Sequence, residues 1–142
     1  MSRESKRVAG LLLLIYPSVI YGGVYLLSLM MNLDPGYMQN ELRQNLFRAG
    51  HAHAGVLLLL SLVVLRYVDE ARLAPAVKGM VRLLVPLAAV LLPSAFFASV
   101  WSEEAQRTSG AIYLAFAGAV SLAVGLFTLG VGLVRRDAPR AA

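Results

Sequence analysis

The sequence contains no cysteine. That absence excludes disulfides, zinc–thiolate centres, iron–sulfur clusters and covalent c-type haem attachment together, and it says nothing about redox compartment. Charge is also scarce: 15% of the 142 residues are Asp, Glu, Lys or Arg, where a soluble domain carries about 25%. No glycine-rich phosphate loop is present, and the Ser and Asp residues form no triad arrangement. What the chain has in excess is apolar side chains, at 58% of positions against about 45–50% in soluble domains. A helix that crosses a bilayer needs about 20 apolar residues, so four crossings joined by short links use up a single domain, 1–142.

Four apolar runs lie at about 8–31, 46–67, 81–101 and 110–134. They predict an all-α integral membrane bundle of four transmembrane helices. Arg3, Lys6 and Arg7 before the first run imitate the start of a signal peptide. The run continues to Met31 without a small-x-small cleavage site, so the reading is an uncleaved first span. Pro17 removes a backbone donor inside that span and predicts a kink. Gly22 and Gly23 follow it, and Tyr21 and Tyr25 share a face one turn apart. The link after it carries an Asp34-Pro35-Gly36 turn. The third run holds Pro86 and Pro93 and ends at Trp101, an indole suited to the headgroup layer.

The net charge of +5 does not point to nucleic acid, because the basic residues flank apolar runs and form no stripe. They read as topology signals. Arg3, Lys6, Arg7, Arg66, Arg72, Lys78, Arg82, Arg135, Arg136 and Arg140 fall on one side, and Arg43, Arg48 and Arg107 on the other. This asymmetry predicts a multi-pass protein of the cell (inner) membrane with both termini cytoplasmic. In the fourth run Ala111, Ala115, Ala119 and Ala123 recur every four residues, with Ala117, Ser121 and Gly125 beside them. Small residues on one stripe let membrane helices approach closely, so the stripe is expected to pack against another helix of this chain or of a neighbour. Four short spans offer little surface to one another, which favours a homo-oligomer.

The only two histidines stand in Ala49-Gly50-His51-Ala52-His53-Ala54-Gly55, opening the second span. Ionisable groups inside a membrane helix are costly and tend to serve function. Two positions apart, the imidazoles point about 200° from each other on a helix, so they do not readily grip one ion, and each is expected to have its own role. His53 is the deeper. The small neighbours Ala49, Gly50, Ala52, Ala54 and Gly55 leave a flat surface for a broad planar ring, and a histidine imidazole is a common axial ligand of haem. The competing reading is an interhelical hydrogen bond with the small residues serving helix packing. Arg48 precedes His51 by three positions and would suit either a haem propionate or an interfacial anchor. Glu103 and Glu104, adjacent on a short link, are expected to face water.

The segment from Arg48 to Gly55 resembles the styrene oxide isomerases, small bacterial membrane proteins of four helices with a short Ala-His-small-Gly signature at this place. Here the signature is Ala52-His53-Ala54-Gly55; Pro35-Gly36-Tyr37 and Arg82-Leu83-Leu84 match as well, and length and topology agree over nearly the whole chain. The resemblance implies haem b bound between subunits of a homo-trimer, with His53 as axial ligand and His51 near the haem edge. It implies a ferric iron that acts as a Lewis acid on a small apolar epoxide dissolved in the bilayer, which rearranges to an aldehyde without net redox change. Two family positions differ: Leu59 stands where an asparagine holds the epoxide oxygen, and Ser99 where a tyrosine assists. The alternatives are a non-enzymatic haem protein for electron transfer, gas sensing or haem handling, and a cofactor-free small subunit of a membrane complex.

Overall fold

In the computed structural model, which describes residues 1–135, the helices begin where short polar side chains cap them. The Ser2 hydroxyl accepts from the Ser5 amide at the head of α1 (Arg3–Met31). The Asp34 carboxylate accepts from the Tyr37 amide before the single turn α2 (Pro35–Met38), and the Asn40 side chain accepts from the Arg43 amide at the head of α3 (Glu41–Tyr67). Proline at the first position, where its missing N–H has no helical partner anyway, opens α4 (Pro75–Ser99). A short 3-10 turn, Gly110–Ile112, leads into α5 (Tyr113–Val134). No strand occurs among the described residues.

α1, α3, α4 and the segment Gly110–Val134 are each long and apolar enough to cross a membrane, as a multi-pass membrane protein requires. Three of them begin five or six residues before the apolar runs do. Hydropathy sees only the apolar middle of a helix, whereas the caps at Ser2 and Asn40 and the proline start at Pro75 set the true first turns further out. Pro17, Pro86 and Pro93 lie inside helices that continue through them. At its other end α1 closes with Leu33 at φ 50°, a left-handed position where glycine is the usual residue.

The helices form a row and not a closed bundle. α4 lies between α3 and α5, whereas α1 packs on α3 and barely reaches α4. α4 is accordingly the most buried span and α1 the least. Of the ten basic residues that the asymmetry puts on one side, Arg136 and Arg140 lie outside the described residues.

Within this chain the small-residue stripe of α5 includes only part of the alanine repeat. Ala115 is buried, but Ala119 and Ala123 are exposed on this chain. The buried face runs through Ala115, Gly118, Ser121, Gly125, Leu129 and Gly132. A β-carbon at Gly125 would sit 2.7 Å from Val85 Cγ2, and one at Gly118 would sit 3.0 Å from Leu92 Cγ. Between them the Ser121 hydroxyl donates to the Leu84 carbonyl at 2.8 Å. An exact four-residue repeat drifts around a helix of 3.6 residues per turn, while the mixed three- and four-residue spacing stays on one side. Gly125→Leu is therefore expected to cost about 1–3 kcal/mol by overpacking, read as a lower melting temperature in detergent, with Ala119→Leu close to wild type. Equal melting of the two variants would contradict this contact.

Candidate functional site

His51 and His53 are separated by the helix that carries them. The His51 ring turns into the groove between α3 and α1, where glycines make room for it: a β-carbon at Gly23 would lie 3.1 Å from its Cε1 and 3.2 Å from its Nε2. Gly22 is the next contact, 3.6 Å from Nδ1 by the same measure. The Gly22-Gly23 pair in the first span is thus the counterpart of His51, a pairing that no sequence spacing signals.

His53 faces outward on the other side of α3 and is exposed. Its Nδ1 lies 2.7 Å from the Ala49 carbonyl oxygen. A carbonyl oxygen only accepts, so Nδ1 donates here, and in the neutral ring Nε2 keeps its lone pair on the side away from that carbonyl. Phe96 of α4 meets the imidazole edge-on, with ring centroids 5.2 Å apart. Backbone and phenyl ring together set the plane of the imidazole. A histidine ligated to iron commonly donates its other nitrogen to a carbonyl in this way. The residues present therefore fit axial ligation of a haem by His53. No group of three or more His, Cys, Asp or Glu residues comes together among the described residues.

The small residues around His53 divide between two roles. Gly50 is buried under Phe97, whose Cε2 would lie 2.9 Å from a β-carbon there, and Gly55 faces Val19 of α1. Both serve helix packing and leave no space beside His53. Ala52 is exposed and Ala49 half-buried, so the open surface beside the ring is theirs. Arg48 is exposed and donates to the Gln44 side chain at 3.1 Å. It makes no contact with His51, and it sits about 140° around α3 from His53 by the helical period.

The two positions that depart from the isomerase pattern are not polar contacts in this structure. Leu59 is exposed and apolar. Ser99 is buried at the end of α4, where its hydroxyl donates to the Phe96 carbonyl of its own helix at 3.1 Å. Glu103 and Glu104 are exposed, as their positions on the link suggested.

Two of the arginines counted among the flanking charges are buried. Arg82 lies near the first turn of α1, and its guanidinium donates to Ser5, Glu4 and Asp69 at 2.9, 2.8 and 2.6 Å. Asp69 in turn accepts from the Ser2 amide at 2.6 Å. Burial pushes the Asp69 carboxyl up. The Ser2 amide, Arg82 and the Ser5 and Ser2 hydroxyls outweigh it and hold the group well below the usual carboxylate range. Arg43, at the opposite end of the molecule, is 6% exposed and has no carboxylate partner. Its one side-chain hydrogen bond runs from Nη1 to the Gly36 carbonyl at 3.1 Å. No protein-family model, curated protein or solved structure matches this chain.

Proposed function

We propose that this chain is a haem b-binding membrane protein ligated through His53, and that it isomerises a small apolar epoxide to an aldehyde in the manner of the styrene oxide isomerases. The observation that carries the reading is the outward Nε2 of His53, oriented by the Nδ1–H bond to Ala49 on an otherwise apolar helix face. Within a bilayer, a polar nitrogen left without a partner costs several kcal/mol, so this atom calls for a ligand. A neighbouring subunit would close the site from the exposed side, and the family resemblance makes that assembly a homo-trimer. The basic asymmetry supports a cell (inner) membrane location with both termini on the cytoplasmic side.

In this reading His53 holds the iron, and Ala49 and Phe96 fix the angle of its ring. Ala52 leaves room for the porphyrin face. The bound ferric haem supplies a Lewis acid for the epoxide oxygen. Val56 and Leu59 add exposed apolar surface on the same helix, which suits a membrane-dissolved substrate.

A second reading, a haem protein without catalysis, is favoured by one feature. Leu59 offers no hydrogen bond, and the Ser99 hydroxyl is already spent on the Phe96 carbonyl. No chain group at these positions orients an epoxide oxygen. An optical spectrum of the detergent-purified protein, followed by an epoxide turnover assay, tests both. A Soret band with aldehyde formation supports the isomerase. A Soret band with ligand binding and no turnover supports the second reading. A colourless protein from cells supplied with haem overturns both and leaves the histidines as packing groups.

A further inference from the structure

Arg43 marks a second site, away from His53. Ten residues separate them, about 15 Å along the axis of α3, and they lie on different faces of it. A cleft of about 550 Å³ opens beside Arg43, between α1, α3 and the end of α4. Phe47, Phe97 and Trp101 provide aromatic walls, and Tyr21 and Tyr25 of α1 bring two phenols. Phe47 and Phe97 meet edge-on with centroids 5.2 Å apart, which leaves a slot of fixed shape.

The guanidinium is the unusual component. Arg43 is more than nine-tenths buried, with its Cζ 4.8 Å from the centre of the Phe47 ring. Its Nη1 is used by the Gly36 carbonyl. Nε is buried without a partner, and Nη2 makes no bond. The two unused donors are adjacent on one edge of the guanidinium, the fork that receives a carboxylate through two parallel bonds. The Gly36 carbonyl and the Phe47 ring hold the guanidinium in place. The Asn40 side chain accepts from the Arg43 amide and donates to the Glu103 and Ala105 carbonyls at 3.0 Å each, tying the head of α3 to the α4–α5 link. Glu103 lines the rim, exposed, and forms no ion pair with Arg43.

We propose that this cleft binds a small aromatic carboxylate, with the carboxylate on the Nε/Nη2 edge of Arg43 and the ring between Phe47, Phe97 and Trp101. An unpaired buried charge is destabilising until an opposite charge meets it, and the flat aromatic walls select a planar body over an acyl chain. Glu103 opposes the anion from the rim and keeps affinity modest.

Trp101 is the only tryptophan and lines the cleft, so its fluorescence in the detergent-solubilised full chain reports occupancy. Benzoate is expected to give a saturable change that benzyl alcohol, with the same ring and no charge, does not. Octanoate is expected to bind more weakly than benzoate. Arg43→Lys keeps the charge but loses the fork, and should weaken benzoate at least about tenfold. Glu103→Gln should tighten it about two- to fivefold. The melting temperature of each variant without ligand separates lost binding from lost folding. Equal binding of benzyl alcohol, or unchanged affinity in a folded Arg43→Lys protein, would overturn the site. Octanoate binding as tightly as benzoate would overturn the aromatic assignment in favour of a membrane fatty acid.

Discussion

His53→Ala is expected to remove the Soret band and nearly all copurifying haem, while His51→Ala keeps both. The asymmetry follows from where the two rings lie. His53 presents Nε2 to an open face and has its Nδ1 proton held by Ala49, whereas His51 is packed against Gly22 and Gly23 of the same chain. His51 is half-buried, so a planar cofactor meets less of its ring than of the His53 ring. Phe96→Ala should be intermediate: the imidazole keeps its hydrogen bond but loses the ring against it. Removing such an orienting partner weakens a metal site by about tenfold or more. Haem content per chain and the position of the Soret band measure all three variants. Haem retained in His53→Ala and lost in His51→Ala would move the site into the α1–α3 groove and end the proposal made for His53.

The second large effect concerns stability. Arg82→Met should cost about 3–5 kcal/mol, the usual result of stripping one partner from a buried ion pair. Arg82 and Asp69 side chains are only 10% and 17% exposed, so the Asp69 charge left behind has little access to water. The double variant Asp69→Ala/Arg82→Met should be more stable than Arg82→Met alone, because no buried charge is left without a partner. Thermal melting in detergent measures both. Proteolysis of the first turn of α1 is the local readout, since this network joins Ser2, Glu4 and Ser5 to the segment after α3 and to α4. The pH dependence has a definite sign. The folded Asp69 carboxyl is lowered, so its contribution is complete above the ordinary aspartate value of about 3.9 and is lost only as pH falls toward the folded value. Protection of the N-terminal turn should thus be flat from neutral pH to about 4. Loss of protection at pH 6 would rule out Asp69 as the anchor.

Much of the architecture was legible in the sequence because membrane crossing imposes a simple requirement. Each helix must satisfy its own backbone and cover about 20 residues with apolar side chains. Those runs are visible without neighbours, and so is the isolation of two histidines in an apolar span. The angle between His51 and His53 also follows from the helical period alone.

What the sequence alone did not decide depends on which helix lies beside which. Gly50 and Gly55 look like space around a histidine, yet the structure fills them with Phe97 and Val19. Ala119 and Ala123 of the α5 alanine repeat are exposed on this chain, and Gly118 and Gly125 make the contact with α4. Arg82 and Arg43 read alike as flanking cations. One is buried among Ser5, Glu4 and Asp69, and the other beside a cleft with two donors unused. Hydropathy and period are properties of a segment by itself, so the sequence determines them. Burial and partners are properties of pairs of segments, so only the packed row of helices determined which histidine faces outward and which arginine lacks a counter-charge.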